Sequence, residues 1–166
     1  NLSKVLITLK GSVPSAYFKK LNGIKVLDLE EFEERNISAK YSSDDQILYV
    51  SAQRQDSNAD MLDDLIHEIG HHAEFLYDDF IYGDNIIRDE FHLKRMELRF
   101  EVAADGYDYT QFDFKDVAYN PEFDTFLYKR IGKEKIKMMT AGMFVRPYQA
   151  MSLREYFAVG FEQYYL

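Results

Sequence analysis

The chain has 166 residues, a length that suits one folded domain with a sizeable core. Hydrophobic residues make up 46% of it, which excludes general disorder, and the absence of cysteine excludes disulfides and thiolate metal sites. The formal net charge of −9 argues against nucleic acid and anionic membranes as partners, because both attract positively charged surfaces.

The N-terminal part alternates short apolar runs with turn residues, a pattern typical of strands and short helices. Asn22 and Gly23 give a strong turn signal, and Pro14 suits the start of a helix. The predicted strands span 4–9, 24–27, 37–42 and 46–52, and the predicted helices span 15–21 and 29–35. The last two strands are separated by three polar residues and are expected to form a hairpin.

The next element is a predicted helix that carries the sequence H-E-I-G-H at residues 67–71. This matches H-E-x-x-H, and three of the four histidines of the chain lie between 67 and 72. Positions i and i+4 of a helix share one face, so His67 and His71 can bind one metal ion. Glu68 lies about 100° further round the helix, where a carboxylate can act as general base toward a metal-bound water.

The sequence around the motif supports a helix there. Apolar residues recur at three- and four-residue spacing from Met61 to Leu76, as in a helix with one buried face. Ser57 and Asp60 form a capping box at its start. The alternative, a surface helix with chance histidines, fits poorly with a chain so low in histidine. His72 points off the metal face and is predicted to pack or to support the site from behind.

The remainder of the chain is predicted to be mainly helical. A turn at 78–85 is followed by predicted helices at 86–105, 121–130, 133–139 and 152–165, with loops at 107–120 and 140–147. Gly106 suits the end of the first of these helices, and Pro121 suits the start of the second. A small N-terminal mixed sheet followed by a mainly helical C-terminal half is an α+β arrangement. Because the chain begins with Asn, we expect residues 1–166 to be a single domain cut from a larger polypeptide.

A catalytic zinc site needs a third protein ligand, which here must be Asp, Glu or the remaining His92. Glu101 belongs to E-V-A-A-D, which resembles the E-x-x-A-D segment of one group of glutamate zincins. Its alternative is a solvent-facing glutamate on a helix. Glu155 follows Ser152 by three residues, so its alternative is the side-chain half of a capping box.

Tyr148 stands seven residues before the segment E-Y-F-A that begins at Glu155. Together with H-E-I-G-H, this arrangement resembles the anthrax lethal factor-like metallopeptidases, which include the secreted Pro-Pro endopeptidases of clostridia. The resemblance implies a zincin-like fold and a zinc-dependent endopeptidase, with Glu155 as third ligand and Tyr148 as hydrogen-bond donor to the oxyanion. It also implies a secreted toxin or a bacteriophage particle as the setting. Glu101 remains the alternative ligand.

The chain departs from this family pattern in two ways. The interval between the two motif segments is long, so an inserted helical region is predicted at about 85–145. The acidic residue expected four positions after the ligand is replaced by Val159, so the carboxylate that orients a ligand must come from Glu162 or Asp64. The change at Val159 also favours an alternative function, a catalytically silent zincin-like domain that serves binding or assembly in a larger toxin or phage protein.

The expected substrate is a peptide or protein bound in extended form. In peptidases of this type, a strand beside the motif helix takes the substrate by strand addition. Residues 46–52 form the most apolar strand before that helix and are the predicted substrate strand. The alternative is that they form an ordinary strand of the sheet.

Overall fold

A computed structural model of the protein describes residues 2–166. The described part has the α+β class predicted from the sequence. The strands are β1 (Gly23–Val26), β2 (Ala39–Ser42) and β3 (Ile47–Val50). The helices are α1 (Leu2–Ser12), α2 (Glu30–Glu34), α3 (Asn58–Tyr82), α4 (Ile86–Ala104), α5 (Pro121–Thr125), α6 (Lys133–Met139) and α7 (Leu153–Tyr165). None of these helices is both long and apolar enough to cross a lipid bilayer.

The chain forms two compact units. The first contains the residues up to Asp78 together with Gly160–Leu166, and the second contains Asp79–Val159. The helical region predicted at about 85–145 lies inside the second unit. No composition change or linker in the sequence marks the two division points, because they fall within the residue ranges of α3 and α7.

The sheet of the first unit has the strand order β1-β3-β2. The predicted hairpin is confirmed: β2 pairs with β3 in antiparallel register, with Tyr41 opposite Leu48. The other side of β3 pairs in parallel with β1. The prediction that residues 46–52 receive a substrate strand is therefore wrong, because β3 is the central strand and both of its edges are already paired. Strand addition requires an edge strand, and β1 and β2 hold the edges.

The predicted strand at 4–9 is also wrong, because these residues belong to helix α1. Val5 and Leu9 are buried, whereas Ile7 between them is 73% exposed. Burial at a four-residue spacing places one helical face on the core, and a strand would have buried every second residue. The predicted helix at 15–21 is reduced to a 3₁₀ turn at Ser15–Phe18.

Helix α3 begins as predicted, because the main-chain N–H of Asp60 donates to Ser57 Oγ over 3.1 Å. Its apolar stripe is buried, and Leu65, Ile66 and Ile69 are fully inaccessible to solvent. The helix is kinked at Tyr77, whose φ of −128° and ψ of 24° are not helical, one residue before the turn predicted at 78–85. A further helical stretch continues to Tyr82, so the turn itself is shorter than predicted.

The second unit has its own aromatic core, built around Phe91, Leu98 and Val102 of α4. Helix α4 ends at the predicted glycine. Gly106 has φ of +79°, and its N–H donates to Ala103 O, while the following N–H donates to Val102 O. These two bonds form a Schellman motif, which satisfies the last carbonyls of the helix.

The predicted helix start at Pro121 is confirmed, and Asn120 caps it by accepting two main-chain N–H groups. The predicted break at 131–132 takes a different form. Residues Phe126–Gly132 form a π-helical segment, and α6 follows it directly. Gly132 has φ of +98°, a conformation that suits glycine because it has no Cβ.

Candidate metal centre

The structure brings side-chain ligand atoms of His67, Glu68 and His71 on α3 close together. Each offers one ligand atom, and these atoms all lie within 4.8 Å of one another. The two imidazole rings meet edge to face, with centroids 4.9 Å apart and an interplanar angle of 83°. Both rings are largely shielded, and His71 is 8% exposed. The geometry predicted from the H-E-x-x-H spacing is therefore present.

A carboxylate from the last turns of α7 supports His67. Glu162 Oε2 lies 3.2 Å from Nδ1 of His67, and the Glu162 residue is only 1% exposed. A carboxylate at Nδ1 favours the tautomer that carries its proton there, which leaves Nε2 as the nitrogen for a metal. Glu162 is one of the two residues predicted to supply this carboxylate in place of Val159, which is itself buried.

Asp64 is the other candidate, and it lies one turn before His67 on α3. Gln55 Nε2 donates to Asp64 Oδ2 over 2.7 Å. Burial raises the pKa of Asp64, and the nearby carboxylates of Glu68 and Glu162 raise it further. The carboxyl groups of Glu68, Glu162 and Asp64 therefore all lie near the histidine pair.

Glu68 has a main-chain partner on the sheet. The N–H of Tyr41 donates to Glu68 Oε2 over 2.6 Å. Tyr41 belongs to β2, an edge strand. Sequence reasoning missed this contact, because a main-chain donor has no residue type by which a pattern can identify it.

Two further residues of α3 lie close to the motif histidines. His72 is fully buried, and its Nε2 lies 2.8 Å from Lys19 O, as expected for a packing role. Burial lowers the pKa of His72, so the neutral ring with its proton on Nε2 suits this position. Glu74 Oε2 lies 3.9 Å from Nδ1 of His71, which is longer than a hydrogen bond.

The other predicted site residues belong to the second unit. Tyr148 lies in a 3₁₀ turn at Pro147–Ala150, and Glu155 lies in the first turn of α7. The N–H of Glu155 donates to Ser152 Oγ over 3.2 Å, so the N-cap half of the predicted capping box is present. Glu101 is exposed on α4. The assignment of Tyr148, Glu155 or Glu101 to a metal bound by the histidines stays a prediction.

His92, the fourth histidine, has a local contact. Its Nε2 lies 2.9 Å from Lys115 O within the second unit. A ring nitrogen beside a carbonyl oxygen acts as a donor and carries a proton, so this nitrogen is not available as a metal ligand in that state. The contact leaves Nδ1 of His92 for a metal, so it does not rank His92 against the two glutamates as the third ligand.

A buried arginine holds the turn that carries Tyr148. Arg95 is 2% exposed, its Nη1 donates to Ala150 O over 2.9 Å, and its guanidinium lies 4.3 Å from the ring centre of Phe123. Burial lowers the pKa of Arg95 to about 10. Gln149 adds a second tether, because its Oε1 accepts the N–H of Val145 over 2.7 Å. No sequence signal pointed to Arg95, since an arginine on a helix is normally exposed.

The donor set of the first unit fits a zinc ion. Two imidazoles converge from one helical turn, and the ring of His67 is oriented by a buried carboxylate. Nitrogen-rich ligation completed by one carboxylate is typical of catalytic zinc sites. The chain has no cysteine, so metal sites with thiolate ligands are excluded.

Comparisons with known proteins leave the site as the main evidence on function. No protein-family model matches the chain, and searches of curated proteins and of solved structures found no match. A functional proposal must therefore be argued from the motif residues and their contacts.

Proposed function

We propose that the protein is a zinc-dependent endopeptidase with a zincin-like site. The observation that carries this proposal is the convergence of ligand atoms from His67, Glu68 and His71 within 4.8 Å of one another. The contact between Glu162 and His67 adds support, because metal-binding histidines usually donate their second nitrogen to a carboxylate or carbonyl. His67, His71 and Glu155 hold the ion in this proposal, and Glu101 is the alternative third ligand.

Bound zinc supplies a Lewis acid that polarises the scissile carbonyl and makes water acidic enough to deprotonate near neutral pH. Glu68 takes up the proton of the attacking water and delivers it to the leaving amine. Tyr148 donates its phenol hydrogen to the oxyanion that develops on the substrate carbonyl. Arg95 and Gln149 keep the turn of Tyr148 in place through their main-chain contacts.

The spacing of Tyr148 from Glu155 supports Glu155 as the third ligand, because a chance glutamate would have no such companion.

An extended substrate is proposed to lie along β2. This strand is at the edge of the sheet, and its Tyr41 contacts the general-base residue Glu68. A peptide that pairs there brings its main chain to the motif helix. The central strand β3 cannot take this role.

The alternative function, a catalytically silent domain used for binding or assembly, was favoured by the missing acid at Val159. The contact of Glu162 with His67 supplies a buried carboxylate to the site by another route, which weakens that argument. The two functions predict different results, because a silent domain binds zinc and cleaves no peptide.

A peptide-library digestion separates the two functions. Wild-type protein, Glu68→Gln and the matched control Glu74→Gln are loaded with zinc, and their zinc content is measured before digestion. The proposal expects cleavage by the wild type and by Glu74→Gln, and a loss of about 10²-fold or more in Glu68→Gln with zinc retained. Cleavage by Glu68→Gln at the wild-type rate contradicts the mechanism. Zinc binding without cleavage by any of the three proteins favours the silent domain.

A further inference from the structure

The main-chain contact of Glu68 has a definite place in the sheet. The N–H of Ser51 donates to Ser38 O over 2.8 Å, which shows that residue 38 faces β3. Main-chain groups along a strand alternate in direction, so residue 40 faces β3 and the N–H of Tyr41 points away from it. The N–H of Tyr41 therefore lies on the outer edge of the sheet, where its partner is the carboxylate of Glu68.

The hydrogen bond from the Tyr41 N–H holds one carboxylate oxygen of Glu68, whose side chain has three rotatable bonds. Oε2 of Glu68 accepts the Tyr41 N–H, and the second carboxylate oxygen keeps its lone pairs for a proton. The donor belongs to the sheet, so its position is fixed by the pairing of β2 with β3. A base held at one oxygen by a rigid donor keeps the other oxygen in a defined position.

We propose that the main-chain N–H of Tyr41 is a positioning group for Glu68, so that edge strand β2 both receives the substrate and orients the general base. This inference rests on the proposed peptidase function. It means that the main-chain N–H of Tyr41 orients Glu68, whereas the buried Tyr41 ring packs edge to face on His72, with centroids 5.0 Å apart. Any substitution that keeps the N–H and the strand keeps the orientation of Glu68, and only loss of the N–H removes it.

Proline is the substitution that removes this donor. Proline is tolerated on edge strands where the N–H points away from the ladder, which is the situation of Tyr41. Tyr41→Ala is the matched reference, because it removes the side chain and keeps the N–H. We expect kcat of Tyr41→Pro to be at least about tenfold below that of Tyr41→Ala, with KM within about twofold and equal zinc content. Equal kcat in the two folded, zinc-loaded variants overturns the inference.

Amide hydrogen exchange measured by NMR tests the contact without any need for cleavage. In ¹⁵N-labelled protein, exchange of the Tyr41 amide should accelerate about tenfold in Glu68→Ala, because a hydrogen bond to a charged group is lost. The Ser51 amide, which donates to Ser38 O in the same hairpin, should keep its rate and serves as the internal control. An unchanged Tyr41 rate overturns the inference even if Tyr41→Pro fails to fold.

The kinetic and the amide-exchange experiments together distinguish failure of this inference from failure of the proposed peptidase function. Cleavage by the wild type with an unchanged Tyr41 amide in Glu68→Ala leaves the peptidase standing and removes the positioning role. Absence of cleavage by the zinc-loaded wild type overturns the peptidase and the positioning role together, whatever the exchange rate shows.

Discussion

Replacement of Glu162 by glutamine tests whether a buried carboxylate orients the metal-binding ring of His67. Glu162 is 1% exposed, and its Oε2 lies 3.2 Å from Nδ1 of His67. Glutamine has the same shape but no charge, so it accepts the Nδ1 hydrogen more weakly and polarises the ring less. We expect zinc affinity to fall by about 10- to 100-fold, which corresponds to about 1.4–2.7 kcal/mol.

The assay is competition for zinc between metal-free protein and a chromogenic chelator at fixed neutral pH. Glu74→Gln is the matched control, because Glu74 is also buried on the motif helix and lies 3.9 Å from Nδ1 of His71. That distance exceeds a hydrogen bond, so we expect a smaller loss of affinity than in Glu162→Gln. Glu162→Asp shortens the side chain and keeps the charge, so its affinity should fall between those of wild type and Glu162→Gln.

The reasoning is refuted if Glu162→Gln binds zinc as tightly as the wild type. It is also refuted if Glu74→Gln loses as much affinity as Glu162→Gln, because the effect would then follow from lost negative charge and not from the contact at 3.2 Å. Thermal unfolding of the metal-free variants checks that each protein is folded before zinc is added.

Three further predictions concern the remaining site residues. Zinc content should fall in Glu155→Ala and stay at the wild-type level in Glu101→Ala; the opposite result would make Glu101 the ligand. Tyr148→Phe should keep zinc and lower kcat by about 10²-fold, as measured on any peptide that the wild type cleaves, since one donor to the oxyanion is lost. Burial lowers the pKa of His72 below its unfolded value of about 6.5. The folded state therefore binds fewer protons than the unfolded state. The urea concentration at the unfolding midpoint of metal-free protein should be highest above about pH 6.5 and should fall as pH drops through the lowered pKa, and the fall should be less steep in His72→Gln. An identical pH profile in the variant would contradict this.

Elements with a strong local signal were predicted from the sequence and confirmed by the structure. The helix of the H-E-x-x-H motif has a regular apolar stripe that is buried, and the N-cap half of the predicted capping box at Ser57 is present. The end of α4 at Gly106 depends on a left-handed glycine, which is a local requirement of the chain. The convergence of His67 and His71 follows from helix geometry alone once the helix exists.

Features that depend on tertiary arrangement were not predicted correctly. The apolar run at 4–9 fits a strand or a buried helix, and only packing decides between them. The most apolar strand, β3, is paired along both edges at the centre of the sheet, so it could not be the substrate strand. The hydrogen bond between Tyr41 and Glu68 joins residues from two elements through a main-chain group, which no side-chain pattern records.

The sequence did indicate that the carboxylate missing at Val159 had to come from elsewhere, and it named Glu162 as one source. It could not choose between Glu162 on α7 and Asp64 on α3, because both carboxyl groups lie near the histidines in the fold. The structure gives Glu162 the contact with His67 and gives Asp64 a hydrogen bond from Gln55.

The most direct test of the account is a zinc-soaked crystal measured just above and just below the zinc absorption edge. The account predicts one strong anomalous difference peak bonded to ring nitrogens of His67 and His71, with the Glu155 carboxylate as third ligand and Glu162 on the far nitrogen of His67. A crystal that takes up no zinc at the histidine pair, or a peak bound by other residues, would contradict it.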